Sequence, residues 1–146
     1  MTRTEMKRFA EQKIAEYLKA DWRVVWLNSK NKHGHCNSRK RELAFSRYAV
    51  TLPEEEQVDL VLHELAHALD YERRGRSAHD YAWKSVCLEV GAKPQRVASV
   101  EMDVPFKYTV HCVQCGKEYL RHRITRGVRY GTHVNCGGYF DWEQHY

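Results

Sequence analysis

Residues 4–19 place Met6, Phe9, Ala10, Ile14, Tyr17 and Leu18 at steps of three and four, with Lys and Glu between them. That period predicts a helix with one buried face. The texture then changes: Trp22-Arg23-Val24-Val25-Trp26-Leu27 is aromatic and β-branched, as a strand is. A polar, glycine-containing stretch from Asn28 to Arg41 reads as a turn and carries His33, His35 and Cys36. Leu43, Ala44 and Phe45 open a second strand, expected to continue toward Tyr48–Leu52.

Leu52-Pro53-Glu54-Glu55-Glu56 predicts a helix start, because proline suits a first turn whose amide would be unpaired and three carboxylates complement the helix dipole. Val58, Leu62, Leu65 and Leu69 mark its buried stripe, and Gly75 ends it in the basic turn Arg73-Arg74-Gly75-Arg76. Ser77-x-x-Asp80 is the expected cap of another helix, which holds Trp83, Val86, Cys87 and Val90 and stops at Gly91 and Pro94. From Pro105 onward aromatics, basic residues and glycine pairs follow no helical period. The expected division is therefore a domain of residues 1–104 followed by a subdomain of residues 105–146.

Length and composition narrow the class. With 146 residues, 42% hydrophobic and 29% charged, the chain is neither a disordered tail nor a membrane protein. The opening residues are charged and lack the apolar stretch of a secretion signal, so the expected location is the cytoplasm. Five cysteines in a reducing compartment do not form a disulfide framework, and three of them cluster late among histidines, which points to metal. Cys36 and Cys87 read as structural thiols. Basic residues outnumber acidic ones 12 to 5 over residues 1–50 and 6 to 3 over 105–146, but are outnumbered 6 to 11 in between. Basic flanks around an acidic middle suit a polyanion held at the edges.

The chemistry is concentrated in His63-Glu64-Leu65-Ala66-His67, inside the second predicted helix. Four helical residues advance by about 400°, so both imidazoles lie on one face, about one turn apart, and can reach one zinc ion. Glu64 sits beside the first ligand, where its carboxylate can act on water as a general base. A catalytic zinc needs a third protein ligand and an open position. Asp70 and Arg73 stand where a metzincin would carry glycine and histidine, which excludes that class. Two candidates remain: His79, after the Gly75 turn, and Glu89, nearly three turns further on. His79 is preferred. Asp70 and Asp80 could orient imidazoles, although a solvated surface role suits each better. Tyr71 and Tyr81 are candidate oxyanion donors.

A second metal pattern lies near the end of the chain. Cys112 and Cys115, then His133 and Cys136, give C-x₂-C-x₁₇-H-x₂-C, the spacing of a structural zinc ribbon with one histidine in place of a cysteine. His122 and His111 are substitutes for the third ligand. Around these residues, Lys107, Lys117, Arg121, Arg123, Arg126 and Arg129 interleave with Tyr108, Tyr119, Tyr130 and Trp142. Cations that track phosphates and rings that stack bases suit single-stranded or irregular DNA, and also suit a plain solvated ribbon.

The segment from His63 through Leu69, followed by Gly75, His79-Asp80-x-x-Trp83 and Gly91, resembles the SprT-like family, to which the Spartan DNA–protein crosslink proteases belong. Gly34-His35-Cys36 followed by Leu43-Ala44-Phe45 is similar to the hairpin that precedes that family's active-site helix. The resemblance implies an α+β protein: a helical zincin-type core with a small β-hairpin or sheet, followed by a C-terminal β zinc ribbon. It also implies that His79 completes the catalytic zinc site, and that the ribbon holds a second, structural zinc. Many members carry four cysteines there, a pattern from which His133 departs. The implied activity is zinc-dependent hydrolysis of protein substrates on or crosslinked to DNA. Separately, a monomer is expected, and no membrane partner, since no apolar run approaches the ~20 residues of a bilayer-spanning helix. Two other readings remain, a nucleic-acid-binding zinc module with an inactive HExxH site and a peptidase indifferent to DNA.

Overall fold

A computed structural model describes residues 1–96, 98 and 100–146. It divides the chain into two compact units, Met1–Asp103 and Val104–Tyr146. The first opens with helix α1 (Arg3–Tyr17), capped by the Thr2 hydroxyl, which accepts from the Glu5 amide at 3.2 Å. Met6, Ala10 and Ile14 form its buried face, as the periodicity predicts. Strands β1 (Arg23–Leu27), β2 (Gly34–Asn37) and β3 (Glu42–Ser46) follow and make a sheet of order β1-β3-β2, with β1 parallel and β2 antiparallel to β3.

Two expectations about this sheet change. The supposed turn of residues 28–41 contains β2, whose polar sequence hides the pairing that its neighbour imposes. Gly34 begins that strand because a Cβ there would stand 2.6 Å from the Ala44 carbonyl oxygen. The strand expected to run toward Leu52 instead stops at Ser46. The buried Ser46 hydroxyl accepts from the Tyr48 amide at 3.2 Å and starts a 3₁₀ turn over Arg47–Thr51. A local side-chain hydrogen bond of this kind competes with the strand ladder.

Helix α2 (Glu54–Arg74) is the spine of the unit. It begins after Pro53 and ends where Gly75 adopts φ 75°, a left-handed turn that glycine adopts without steric cost. Its burial exceeds the expected stripe, because Leu60, Val61, Leu62, Leu65, Ala66, Ala68 and Leu69 are all buried. Each large aliphatic side chain so placed contributes roughly 1.5–3 kcal/mol. Gln57 is also fully buried and donates to the Val50 carbonyl at 2.9 Å, which ties α2 to the 3₁₀ turn. Near its other end, Glu72 accepts from the Lys19 and Ala20 amides and from the Trp22 indole at 3.0 Å each, fixing the exit of α1. Helix α3 (Tyr81–Val90) packs on α2 through Trp83, Val86, Cys87 and Val90.

The second unit is a sheet of order β5-β4-β6, all antiparallel, from β4 (Tyr108–Cys112), β5 (Glu118–Arg121) and β6 (Phe140–Gln144). One short helix, α4 (Arg126–Tyr130), interrupts a stretch that shows no helical period. It is a single turn and a half begun by Thr125, whose hydroxyl accepts from the Val128 amide at 3.3 Å. No helix among the described residues is long and apolar enough to cross a membrane.

Candidate metal centres

His63 and His67 project from the same face of α2, and the reversal at Gly75 brings His79 back to meet them. The nearest ring nitrogens of the three lie within 4.8 Å of one another, and the Nε2 atoms of His67 and His79 are 3.1 Å apart. Two nitrogens bound tetrahedrally to one zinc at its usual bond length stand about 3.3 Å apart. The donor set therefore fits zinc.

Beneath the three rings lies Trp83, with no exposed surface. His67 stacks on its indole at 4.8 Å and 16°, while His63 and His79 meet it edge-on at 4.8 and 4.7 Å. One buried plate thus sets the orientation of all three imidazoles. The spacing His79-x-x-x-Trp83 was visible in the sequence, but its role as a floor was not.

Burial and mutual repulsion hold the imidazoles neutral. His63 is lowered to about 4, first by burial and then by His79; His67 is lowered to about 3, first by burial and then by the other two rings. His79 is also lowered, first by burial and then by Arg96. A proton on His67 Nδ1, donated to the Ser77 hydroxyl at 2.7 Å, leaves the Nε2 lone pair facing the cluster. Ser77 was read as part of a helix cap. The cap of α3 is Asp80 instead, which accepts from the Trp83 amide at 3.2 Å.

Asp70 is not a solvated surface group, whereas Asp80 keeps much of its side chain in solvent. Arg74 binds the Asp70 carboxylate through two bonds, at 2.7 and 2.8 Å, and reaches Asp80 at 2.8 Å. Asp70 is only 2% exposed. This bridge ties the end of α2 to the start of α3, across the turn that carries Ser77 and His79. Glu89 is engaged elsewhere, in a two-bond pair with Arg73 at 2.7 Å, and is not among the clustered ligands. Tyr81 is 85% exposed and Tyr71 meets Trp22 edge-on; neither lines the cleft above the imidazoles.

That cleft has a volume of about 490 Å³ and runs between α2 and β2, with Glu64, Lys32, Cys36 and Arg96 among its walls. Glu64 is buried, and burial pushes its carboxyl up to about 8, partly offset by the charge of Lys32. Burial and then the nearby Glu64 push the Cys36 thiol up to about 12. Cys87, buried under α3, is likewise raised to about 12 by burial. Both thiols are protonated at neutral pH, as structural cysteines are.

The family model for the SprT-like family matches residues 3–104. The chain belongs to the SprT-like family. Its first unit is a metalloprotease-like domain of that family, and the HExxH helix with His79 beyond it lies inside the matched segment. No curated protein and no solved structure matches the chain.

The second cluster joins Cys112, Cys115, His133 and Cys136, again with ligand atoms within 4.8 Å. Cys115 Sγ and Cys136 Sγ each lie 3.3 Å from His133 Nδ1, and Cys112 Sγ lies 3.3 Å from Cys136 Sγ. The two halves share one local shape. Gly116 and Gly137, each directly after a ligand pair, adopt φ 75° and 74° and donate to the carbonyls of Cys112 and His133. His133 therefore stands where a cysteine would complete the symmetry. Three sulfurs and one imidazole fit a closed tetrahedral zinc. The Cys115 backbone amide holds the Cys112 thiol below its usual value, which favours a thiolate ligand. His111 is on β4 opposite Glu118 and Asp141, and His122 stacks on Phe106 at 4.2 Å.

Tyr119 has a role that the sequence did not suggest. Its hydroxyl lies 2.9 Å from His133 Nε2, a contact placed to orient that imidazole within the cluster. Lys117 and Arg121 cover its faces at 5.4 and 5.1 Å. Lys107 lies 5.8 Å from the Tyr108 ring and Arg129 lies 5.5 Å from the Trp142 ring, while Arg123, Arg126 and Tyr130 are exposed.

Proposed function

We propose that the protein is a zinc metallopeptidase that cleaves proteins bound or crosslinked to DNA. The observation that carries this reading is the convergence of three neutral imidazoles on a buried indole, beside a buried carboxylate and open to a cleft. Zinc held by His63, His67 and His79 would supply Lewis acidity and lower the pKa of a water to about 7.

The chain's own residues do the rest. Glu64 accepts a proton from water on its carboxylate and returns it to the departing amine. Its burial keeps that carboxyl near the pH at which it can both take and give a proton. Ser77 and Trp83 hold the imidazoles in place throughout. The ribbon, with its second zinc and its cation–aromatic pairs, suits contact with single-stranded or irregular DNA.

Cleavage of a DNA-crosslinked protein by Glu64→Gln tests the assignment. Loss of at least about 10²-fold, with metal content per chain unchanged, is expected for a general base. Cleavage retained by that variant defeats the mechanism. Full DNA affinity in a wild-type protein that cleaves nothing identifies a nucleic-acid module with an inactive HExxH site. Cleavage unaffected by DNA identifies a peptidase indifferent to it.

A further inference from the structure

A second cavity, of about 520 Å³, adjoins the cleft and shares Lys32, His35, Cys36 and Ser38 with it. It is a shallow hollow open to solvent, lined beyond that shared wall by Asn37, Arg39 and Tyr71, and no carboxylate lines it. Strand β2 passes from the cleft into this cavity, and the hairpin to β3 forms its rim.

The charge around it is unbalanced. Residues 28–41 contain Lys30, Lys32, Arg39, Lys40 and Arg41 and no acidic residue. None of these five forms an ion pair among the described residues, whereas Arg73, Arg74 and Lys93 of the same unit all do. Glu42, where β3 begins, pairs with Arg23 at 3.6 Å. On the shared wall, His35 has its Nδ1 buried without a hydrogen-bond partner.

We propose that this cavity binds the phosphate backbone of a nucleic acid strand, at a site in the first unit that is independent of the ribbon. Arg39 offers a planar fork that matches two phosphate oxygens and Lys32 adds a point charge, while Lys40 follows Arg39 in the chain and adds to the local positive charge. Asn37 and Ser38 supply neutral hydrogen-bonding groups. Only the consequence rests on the peptidase reading: a strand bound here lies beside the catalytic cleft, so a protein attached to that strand is delivered to Glu64.

The test uses the full chain and a fluorescent single-stranded oligonucleotide, with affinity read between about 50 and 200 mM salt. Arg39→Glu combined with Lys40→Glu should weaken binding at least about tenfold at the low-salt end. Losing two phosphate contacts should also flatten the plot of log affinity against log salt by about 1.4. Arg39→Gln alone, a gentler change, should give about half that flattening, and Arg39→Lys, which keeps the charge but loses the fork, should keep the slope while lowering affinity. Melting temperature and cleavage of a DNA-free peptide should not change in the doubly substituted protein.

Unaltered affinity and slope in both the double and the single variant overturn the proposal. So does equal displacement of the oligonucleotide by polyglutamate of matched charge, which marks a surface that accepts any polyanion. The two readings fail separately. A wild-type protein that cleaves nothing but loses DNA with the hairpin charges keeps this site and loses the peptidase. Cleavage that survives with hairpin-independent DNA binding does the reverse.

Discussion

The cluster of His63, His67 and His79 and the cluster of Cys112, Cys115, His133 and Cys136 are two groups of metal-ligating side chains built in opposite ways. The first rests on a continuous apolar core that runs through α1, the first sheet, α2 and α3 and is drawn entirely from the first unit. There, packing comes first: Trp83, Leu65 and Ala66 have no exposed surface, and the ligands inherit their positions from the elements that these residues hold. The second has almost no core to inherit from. Val104, Val110 and Cys112 are its buried apolar residues, and Cys112 is itself a ligand. A segment so short and so poorly buried needs a staple, which a metal supplies. The difference teaches that zinc at the first cluster would be a guest of a finished fold, and zinc at the second a part of the fold.

Removing metal should separate the two most sharply. With a strong chelator, or with Cys115→Ser, the second unit is expected to lose its sheet, since structural zinc contributes on the order of 10 kcal/mol or more to such folds. The first unit should keep its helices under the same treatment and with His67→Ala. Circular dichroism and amide exchange per segment read both, and a ribbon that stays protected without metal would break the contrast.

Next in size is Trp83→Ala, which should cost about 3–5 kcal/mol in the first unit and leave the ribbon's exchange pattern unaltered. Because the indole touches all three imidazoles, metal affinity at that site should fall with stability. Stability lost with metal affinity intact would mean that the ligands do not depend on their floor.

Smaller effects compare the groups behind the ligands. Ser77→Ala and Tyr119→Phe each remove one hydroxyl beside a histidine, and such partners are worth about 10- to 100-fold in metal affinity. Ser77→Ala should lie at the low end, since Trp83 still stacks on His67, and Tyr119→Phe at the high end. Equal losses would show that the core adds nothing to ligand orientation.

The smallest concerns Glu72. Burial opposes its ionisation, but the amides of Lys19 and Ala20 and the Trp22 indole outweigh that and lower its pKa from the usual 4.5. A depressed carboxyl stabilises the fold above its unfolded value, and that contribution fades as the pH falls below about 4.5. Glu72→Gln should therefore lower stability by about 1 kcal/mol at pH 7 and reduce the acid dependence of unfolding in the first unit.

Much of this was legible in the linear chain because the signals were local. Helical period, Pro53, the three glutamates and Gly75 bounded α2, and a four-residue step aligned His63 with His67. The paired spacing of Cys112 with Cys115 and of His133 with Cys136 marked the ribbon. What escaped was set by partners far along the chain. Strand β2 is polar and was read as a turn, because its strand character comes from pairing with β3. Ser77 looked like a cap until His67 was found across from it, and Asp70 looked solvated until Arg74 covered its charge. The Tyr119 contact with His133 was hidden because nothing in the residues around Tyr119 points to that histidine.

The sequence alone determined the ligand types, the helix that presents two of them, and the presence of a second metal pattern. Those follow from periodicity and spacing within a few turns of chain. The tertiary structure decided that His79 rather than Glu89 completes the first cluster, that one indole orients its rings, and that Lys32 and Arg39 line a common hollow. Each of these depends on where the chain returns after a turn, and that is set by packing free energy summed over the whole unit.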